Sequence, residues 1–524
     1  MEKFFNTTGP CNPQDHYMLP ARDRLVGAFL DKYIKNQLYW VLHAPRQTGK
    51  TTFLQSWMKE INSGEVAIAC YVSVERCQGL TDHQEAMAEV ARSVCEQAKA
   101  FLPQALVPSL PEVKSISILS LILAQWAEIC APKPLVVLFD EVDVIHDQPM
   151  VSFLRQLRSG FAARGVGKFP VSIALVGMRD LRDYLVKSKD GAPMNPGSPF
   201  NIKESSASLA NFSAEDVQKL IGQHIAETGQ IFEEEALATI YELTRGQPWL
   251  VNALAKKCHW ELCSQGETVT LSHILKAKEL LIRERAVHLD SLAERLRDPR
   301  IHRVVEAIIT GTGETILTRD HDDVRLSMDL GLVDWTSADG FVIANPIYRE
   351  IIARVLSSPW HDTMPAPQFQ WKKTDGTLDL KALLVAFQRF WRRHADSWEQ
   401  KADYTEAFPH LLLMAFLQRV INGGGRIERE YAAGRGRVDL AVEYGGTWNV
   451  IEIKLVHPSD GRATTLEEGL EQVQRYSDLV TPLTSVALVI FDRTPAGREK
   501  SWDERISYEE VVVDSGRTVM VFGG

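Results

Sequence analysis

The chain has 524 residues, 45% of them hydrophobic and 24% charged, with a formal net charge of -10. That length exceeds a single core and predicts three or four domains, while the composition excludes a fibrous or disordered chain. The acidic balance excludes a surface that holds nucleic acid by bulk electrostatics, so any such contact is local. Seven scattered cysteines, from Cys11 to Cys263, fit neither a disulfide framework nor paired zinc spacing and predict reduced thiols. The opening MEKFFNTTGPCNP lacks the apolar core of a signal peptide, and no run approaches the roughly 18 apolar residues of a membrane span. The expectation is a cytoplasmic protein with no membrane partner.

Residues 37–180 alternate apolar, β-like runs (QLYWVLH, VAIACYVSV, PLVVLFDEV, FPVSIALVG) with amphipathic helical stretches. This alternation predicts an α/β fold with a parallel sheet covered on both faces. The first run leads into Ala44-Pro45-Arg46-Gln47-Thr48-Gly49-Lys50-Thr51 and then a helical TFLQSWMKEI starting at Thr52. Strand, loop and helix thus surround A-x4-G-K-T, one substitution from the phosphate-binding pattern G-x4-G-K-[ST]. Loop N–H groups and the helix N-terminus would converge on phosphates, Lys50 would reach the β and γ oxygens, and the Thr51 hydroxyl would take a magnesium position. Thr52 completes the residues assigned to the nucleotide. Ala44, in place of the first glycine, requires a backbone that tolerates a methyl group.

About 90 residues on, Leu135–Phe139 is an apolar strand ending in Asp140 and Glu141. Asp140 is expected to hold magnesium and Glu141 to polarise the attacking water. The strand from Val171 to Gly177 ends in Met178-Arg179-Asp180, where Arg179 could sense a γ-phosphate or pair with a surface acid. Residues 187–203 read as a Gly/Pro-rich loop, and Ser213 with Asp216 reads as a capping box opening a helical stretch over 213–285. From about 298 to 356 a helix, a short helix and two short strands around Ser337-Ala338-Asp339-Gly340 look like a winged helix.

The loop, the acidic strand end, the GMRD strand end and Thr244-Arg245-Gly246-Gln247-Pro248 together resemble the AAA+-related STAND ATPases, over roughly residues 1–360. The resemblance implies ATP and Mg2+ as cofactors, a helical lid followed by a winged helix that closes onto the nucleotide, and a regulatory switch rather than a motor. His16, Tyr17 and Pro20 are either base contacts or packing, and packing is the simpler reading. The boundaries expected are an ATPase core over 1–210, a lid over 211–288, a winged helix over 289–358 and a proline-punctuated linker over 359–377.

Residues 378–524 form a further domain with long helices, a strand pair joined by Gly445-Gly446, the helix TTLEEGLEQVQRYSDLV and the strand SVALVIF. Asp439 on the first strand of that pair would meet Glu452 on the second. Glu452 and Lys454 share one strand face, while Ile451 and Ile453 point to the core. Two carboxylates can hold Mg2+, and a nearby ammonium can orient the attacking water. The spacing D-x12-E-x-K resembles the PD-(D/E)XK nuclease superfamily, with Val438 where the family name has proline. That resemblance implies a restriction-endonuclease-like α/β domain, with Asp439 and Glu452 as metal ligands and Lys454 as the catalytic lysine. It adds Glu406 on a preceding helix, Glu430 as the second choice for that acid, and Gln472 as a supporting residue. The alternative is a strand-end salt bridge on a solvated face.

Phe387-Gln388-Arg389-Phe390-Trp391-Arg392-Arg393-His394 interleaves aromatics with bases, but an amphipathic helix with its rings in the core accounts for it better. Arg295, Arg297, Arg300 and Arg303 likewise read as a solvated face. The leading expectation is an ATP-dependent switch joined to a Mg2+-dependent nuclease acting on nucleic acid, DNA first, in defence or DNA processing, with self-association open. The alternatives are a signalling or scaffold ATPase whose nuclease-like domain binds without cutting, and a nucleotide-responsive clamp with negligible turnover.

Overall fold

The computed structural model describes residues 3–524, leaving aside 111–116, 180–185, 188–192, 195–201, 265, 285–291, 293, 311–317, 338–339, 362–370, 372, 400–411, 415, 418–424, 434–435, 457–460, 478–481 and 493. The chain forms two compact units, Met1–Leu292 with Arg319–Ile347, and Ala293–Thr318 with Tyr348–Gly524.

The first unit is built on strands β1 (Leu25–Val26), β2 (Tyr39–His43), β3 (Ile68–Ser73), β4 (Leu135–Asp140), β5 (Ser172–Gly177) and β8 (Lys203–Leu209); β6 (Val186–Lys187) and β7 (Pro193–Met194) pair apart from them. The six lie in the order β1-β8-β2-β5-β4-β3, all parallel except β1. Strands β4 and β5 are buried at every residue, as a sheet covered on both sides requires. Successive residues of β2 serve opposite cores. Tyr39 and Val41 join the cluster under α3 (His83–Phe101), α4 (Ile118–Cys130) and α5 (Asp147–Phe161), whereas Trp40 and Leu42 join the one under α1 (Leu30–Lys35) and α2 (Lys50–Ser63). The two apolar cores, one on each face, fix the sheet's register, because a slip of one residue would exchange every side chain between them.

The helical stretch resolves into α6 (Ala214–Thr228), α7 (Glu234–Thr244), α8 (Pro248–Lys257) and α9 (Leu271–Arg283). The expected cap is present: the Ser213 hydroxyl accepts from the Asp216 N–H, and the Asp216 carboxylate accepts from the Ser213 N–H. At the Thr244–Pro248 turn, Gly246 has φ +71, and a Cβ there would sit 1.8 Å from the Phe212 carbonyl oxygen. Only glycine fits. Helix α10 (Pro299–Thr310) belongs to the second unit, while α11 (Asp322–Asp329) and the antiparallel pair β9 (Val333–Thr336) and β10 (Gly340–Ile343) belong to the first.

After α12 (Pro346–His361), the second unit carries α13 (Leu380–Glu399), β11 (Gly425–Ala433), β12 (Gly436–Tyr444), β13 (Thr447–Leu455), α14 (Gly461–Ser477) and β14 (Leu483–Phe491). It ends in β15 (Ser507–Val512) and β16 (Thr518–Gly523). The sheet order is β11-β12-β13-β14-β16-β15, antiparallel from β11 to β13 and parallel across β13, β14 and β16. One face packs on α13 through Leu383, Phe387 and Trp391; the other carries Val450, Val486 and Leu488 against Val473 of α14. The aromatics of α13 are therefore core and its Arg389 and Arg392 are exposed, the amphipathic arrangement. All seven cysteines are free thiols, and no described helix is long and apolar enough to cross a membrane.

Candidate functional site

In the first unit, the carboxyl ends of β2, β5 and β4 lie side by side, and the loop, Arg179 and Asp140 leave from them in that order. Such strand ends are where open α/β sheets take ligands. Ala44 is 2% exposed and outside the left-handed region, with its methyl in the core and its N–H on the Gly177 carbonyl. The departure from glycine costs nothing here, because the loop turns instead at Gln47 (φ 58) and Gly49 (φ 100). Arg46 and Gln47 are exposed at the crest, whereas Thr48 is buried with its hydroxyl on the Pro45 carbonyl. Lys50 Nζ donates to the Ala44 and Pro45 carbonyls, 2.8 Å each, so the ammonium lies folded across the loop's concavity.

The Thr51 hydroxyl donates to Asp140 Oδ2 at 2.6 Å, and the Tyr71 hydroxyl donates to the same oxygen at 3.3 Å. Burial raises the Asp140 pKa and lowers that of Lys50; burial, then the Asp140 charge, raises that of Glu141. Each shift disfavours charge that a polyphosphate and a divalent cation would relieve. The Thr51 and Asp140 oxygens fit the hard-cation donor set expected of Mg2+. Glu141 is held at φ 60, a left-handed conformation rare outside glycine and characteristic of functional turns. Arg179 forms an ion pair with Asp329 of α11, Nε to Oδ2 at 3.2 Å. At Gly331, just beyond α11, a Cβ would meet the Pro45 ring at 2.7 Å, so α11 ends directly over the loop. The Thr52 hydroxyl accepts the Cys11 N–H at 3.0 Å. His16 and Tyr17 serve packing: His16 Nδ1 accepts the Asn12 N–H, and the Tyr17 hydroxyl bonds buried His224.

In the second unit, the register Leu440↔Ile451 sets Asp439 opposite Glu452. Asp439 Oδ2 accepts the Ile453 N–H at 2.8 Å, and Lys454 Nζ lies 3.2 Å from Glu452 Oε1. On the face they share, which packs beneath α14, Glu452 is only 3% exposed, while Asp439 and Lys454 are half-buried. Burial first, then the Asp439 charge, pushes the Glu452 pKa up to about 7 against the opposing Lys454. Gly469 of α14 admits the close approach: a Cβ there would meet Leu488, the cross-strand neighbour of Glu452, at 2.8 Å. Gln472 lies three residues on, so on the same helix face. Among the described residues, Glu452 Oε2 and Gln472 Oε1 are both buried without a hydrogen-bond partner. The unpartnered Glu452 oxygen, in a carboxylate facing Asp439, is what a hard cation would satisfy, so the residues fit Mg2+. Among the described residues no group of three His, Cys, Asp or Glu side chains makes a complete metal site. Glu406 lies outside the described residues, and of Glu430 only the backbone, in β11, is described.

Two polar residues at the first site escaped the sequence reading. Tyr71 lies within the apolar strand β3, and Arg24 sits in the short ARDR helix Ala21–Arg24; neither carries a local pattern that marks it.

No family model and no curated protein matches the chain. Among solved structures it is similar to the Walker-type ATPase paby2304 of Pyrococcus abyssi, at 15% identity and a TM-score of 0.46, covering 66% of this chain and 99% of that one. It is also similar to the Thermotoga maritima RuvB Holliday junction branch migration motor, at 14% identity and a TM-score of 0.33, covering 62% and 90%. A third is Cdc6p from Pyrobaculum aerophilum, at 13% identity and a TM-score of 0.34, covering 63% and 91%.

Proposed function

We propose that the chain is an ATP-binding and ATP-hydrolysing switch joined to a Mg2+-dependent nuclease acting on DNA. The observation that carries the first half is the convergence of Lys50, Thr51 and Asp140 at the mouth of a glycine-turned loop, with the Thr51 hydroxyl 2.6 Å from the Asp140 carboxylate. Loop N–H groups and Lys50 bind the phosphates; Thr51 and Asp140 would hold Mg2+, which neutralises charge on the β and γ oxygens. Glu141, its pKa raised by burial beside Asp140, orients the attacking water and takes its proton. Arg179 at the neighbouring strand end would exchange Asp329 for a γ-phosphate, which gives a triphosphate a means of releasing α11.

The second half is supported by the grouping of Asp439, buried Glu452 and Lys454, with an unpartnered Glu452 oxygen among the described residues. Asp439 and Glu452 would hold Mg2+, which supplies Lewis-acid activation of a phosphodiester. Lys454 positions the water and counters the charge that builds on the phosphorane-like transition state as the bond to the sugar oxygen breaks. The 3.2 Å from its Nζ to Glu452 Oε1 supports that role.

Separable lesions test the reading. Lys50→Ala is expected to abolish ATP binding, while Asp439→Ala and Lys454→Ala leave ATP hydrolysis intact and remove cleavage. Loss of both activities from either lesion contradicts two sites; ATP turnover without Mg2+-dependent cleavage of any nucleic acid leaves a scaffold ATPase.

A further inference from the structure

Arg24 is 8% exposed, yet among the described residues it has no carboxylate at ion-pair distance, and Asp216 acts on it only from farther away. Burial pulls its pKa down to about 10. A buried, uncompensated guanidinium is costly, so its placement calls for a reason beyond packing. Its two terminal nitrogens are committed to different elements. Nη2 donates to the Thr48 carbonyl at 3.0 Å, and Nη1 donates to the Ala210 carbonyl at 2.7 Å.

The first bond acts on the loop's polarity. In a trans peptide the C=O and the following N–H point in opposite directions. Holding the Thr48 oxygen outward therefore turns the Gly49 N–H toward the loop's concavity, where Lys50 lies. Gly49 adopts φ +100, and a Cβ there would come within 3.1 Å of Arg24 Nη2, so the arginine and the glycine require each other. The second bond acts on the joint between the sheet and α6. Ala210 returns its own N–H to the Arg24 carbonyl at 2.9 Å, the guanidinium lies 4.7 Å from the centre of the Phe212 ring, and the Phe212 N–H is held by the Gly246 carbonyl.

We propose that Arg24 is a positioning residue for nucleotide binding, which aims the Gly49 N–H at the phosphates and ties the loop to the Ala210–Phe212 joint of the helical lid. This rests on the ATP reading of the loop. A lysine at this position keeps the charge but loses the rigid planar fork whose two separate nitrogens reach the Thr48 and Ala210 carbonyls.

The test uses the full chain and a fluorescent ATP analogue with Mg2+, measured well below each variant's melting temperature. Arg24→Lys is expected to weaken binding by roughly tenfold or more, the loss of one oriented donor to phosphate. Phe212→Leu, which leaves the arginine in place but removes the ring beneath it, is expected to weaken binding by roughly two- to fivefold. A purely structural arginine would lower the melting temperature and leave the affinity of the folded protein unchanged. Wild-type affinity in a folded Arg24→Lys overturns the proposal; if that variant does not fold, wild-type affinity in Phe212→Leu overturns it. Failure of the unaltered chain to bind the analogue overturns the ATP reading and this inference with it.

Discussion

Replacing Glu452 by glutamine is expected to stabilise the second unit at alkaline pH while removing its cleavage. Glu452 is 3% exposed, and its pKa rises from 4.5 to about 7. A carboxyl raised in this way binds its proton more tightly when folded. Its contribution to stability is complete below the unfolded value and is lost as pH rises through about 7. The shift corresponds to about 3 kcal/mol of ionisation penalty. Glutamine cannot ionise and escapes it, but buries amide hydrogens at a cost of about 1 kcal/mol. The net gain near pH 8 is about 2 kcal/mol, or roughly 4–8 °C for a unit of this size. Near pH 5 the gain should vanish or reverse. The assay is calorimetry of the full chain, following the transition that ATP, added at constant Mg2+, does not move. Millimolar Mg2+ should raise that transition in the wild type near pH 8 and leave the variant unmoved. A variant destabilised equally at both pH values would refute the assignment of Glu452 as a penalised anion.

Lys50→Ala removes the ammonium spanning the loop and should weaken ATP binding by roughly a hundredfold or more, read by titration calorimetry. Gly246→Ala sets a methyl against the Phe212 carbonyl at a φ alanine avoids, and should cost about 3 kcal/mol or more in the first unit, read by thermal melting. Gly469→Val should push α14 off Leu488 and lose cleavage while ATP turnover, measured by phosphate release, stays at the wild-type rate.

The loop and the acids at the end of β4 were legible because each is a contiguous pattern whose chemistry depends on neighbours in sequence. The covered sheet was legible from the apolar runs of β2 to β5. Strand β8 was not: KESSASL, which follows the loop expected over 187–203, shows only the short alternation of Ala207 and Leu209. It holds its place by pairing with β1 and β2 and by the Ser205 hydroxyl on Tyr33, so tertiary pairing overrides a weak local propensity. The approach of Asp439, Glu452 and Lys454 followed from strand periodicity, but the depth at which Glu452 is buried did not. It depends on α14 lying close over Leu488 at Gly469, a long-range contact that no spacing announces. Arg24 was hidden for the same reason, since its meaning lies in carbonyls 24 and 186 residues away.

The most direct measurement is cleavage of linear, circular and single-stranded DNA with and without Mg2+ and ATP, comparing the unaltered chain with Asp439→Ala. Mg2+-dependent cutting of at least one substrate by the wild type, absent from Asp439→Ala, is the predicted result. Cutting that survives in Asp439→Ala would contradict the account.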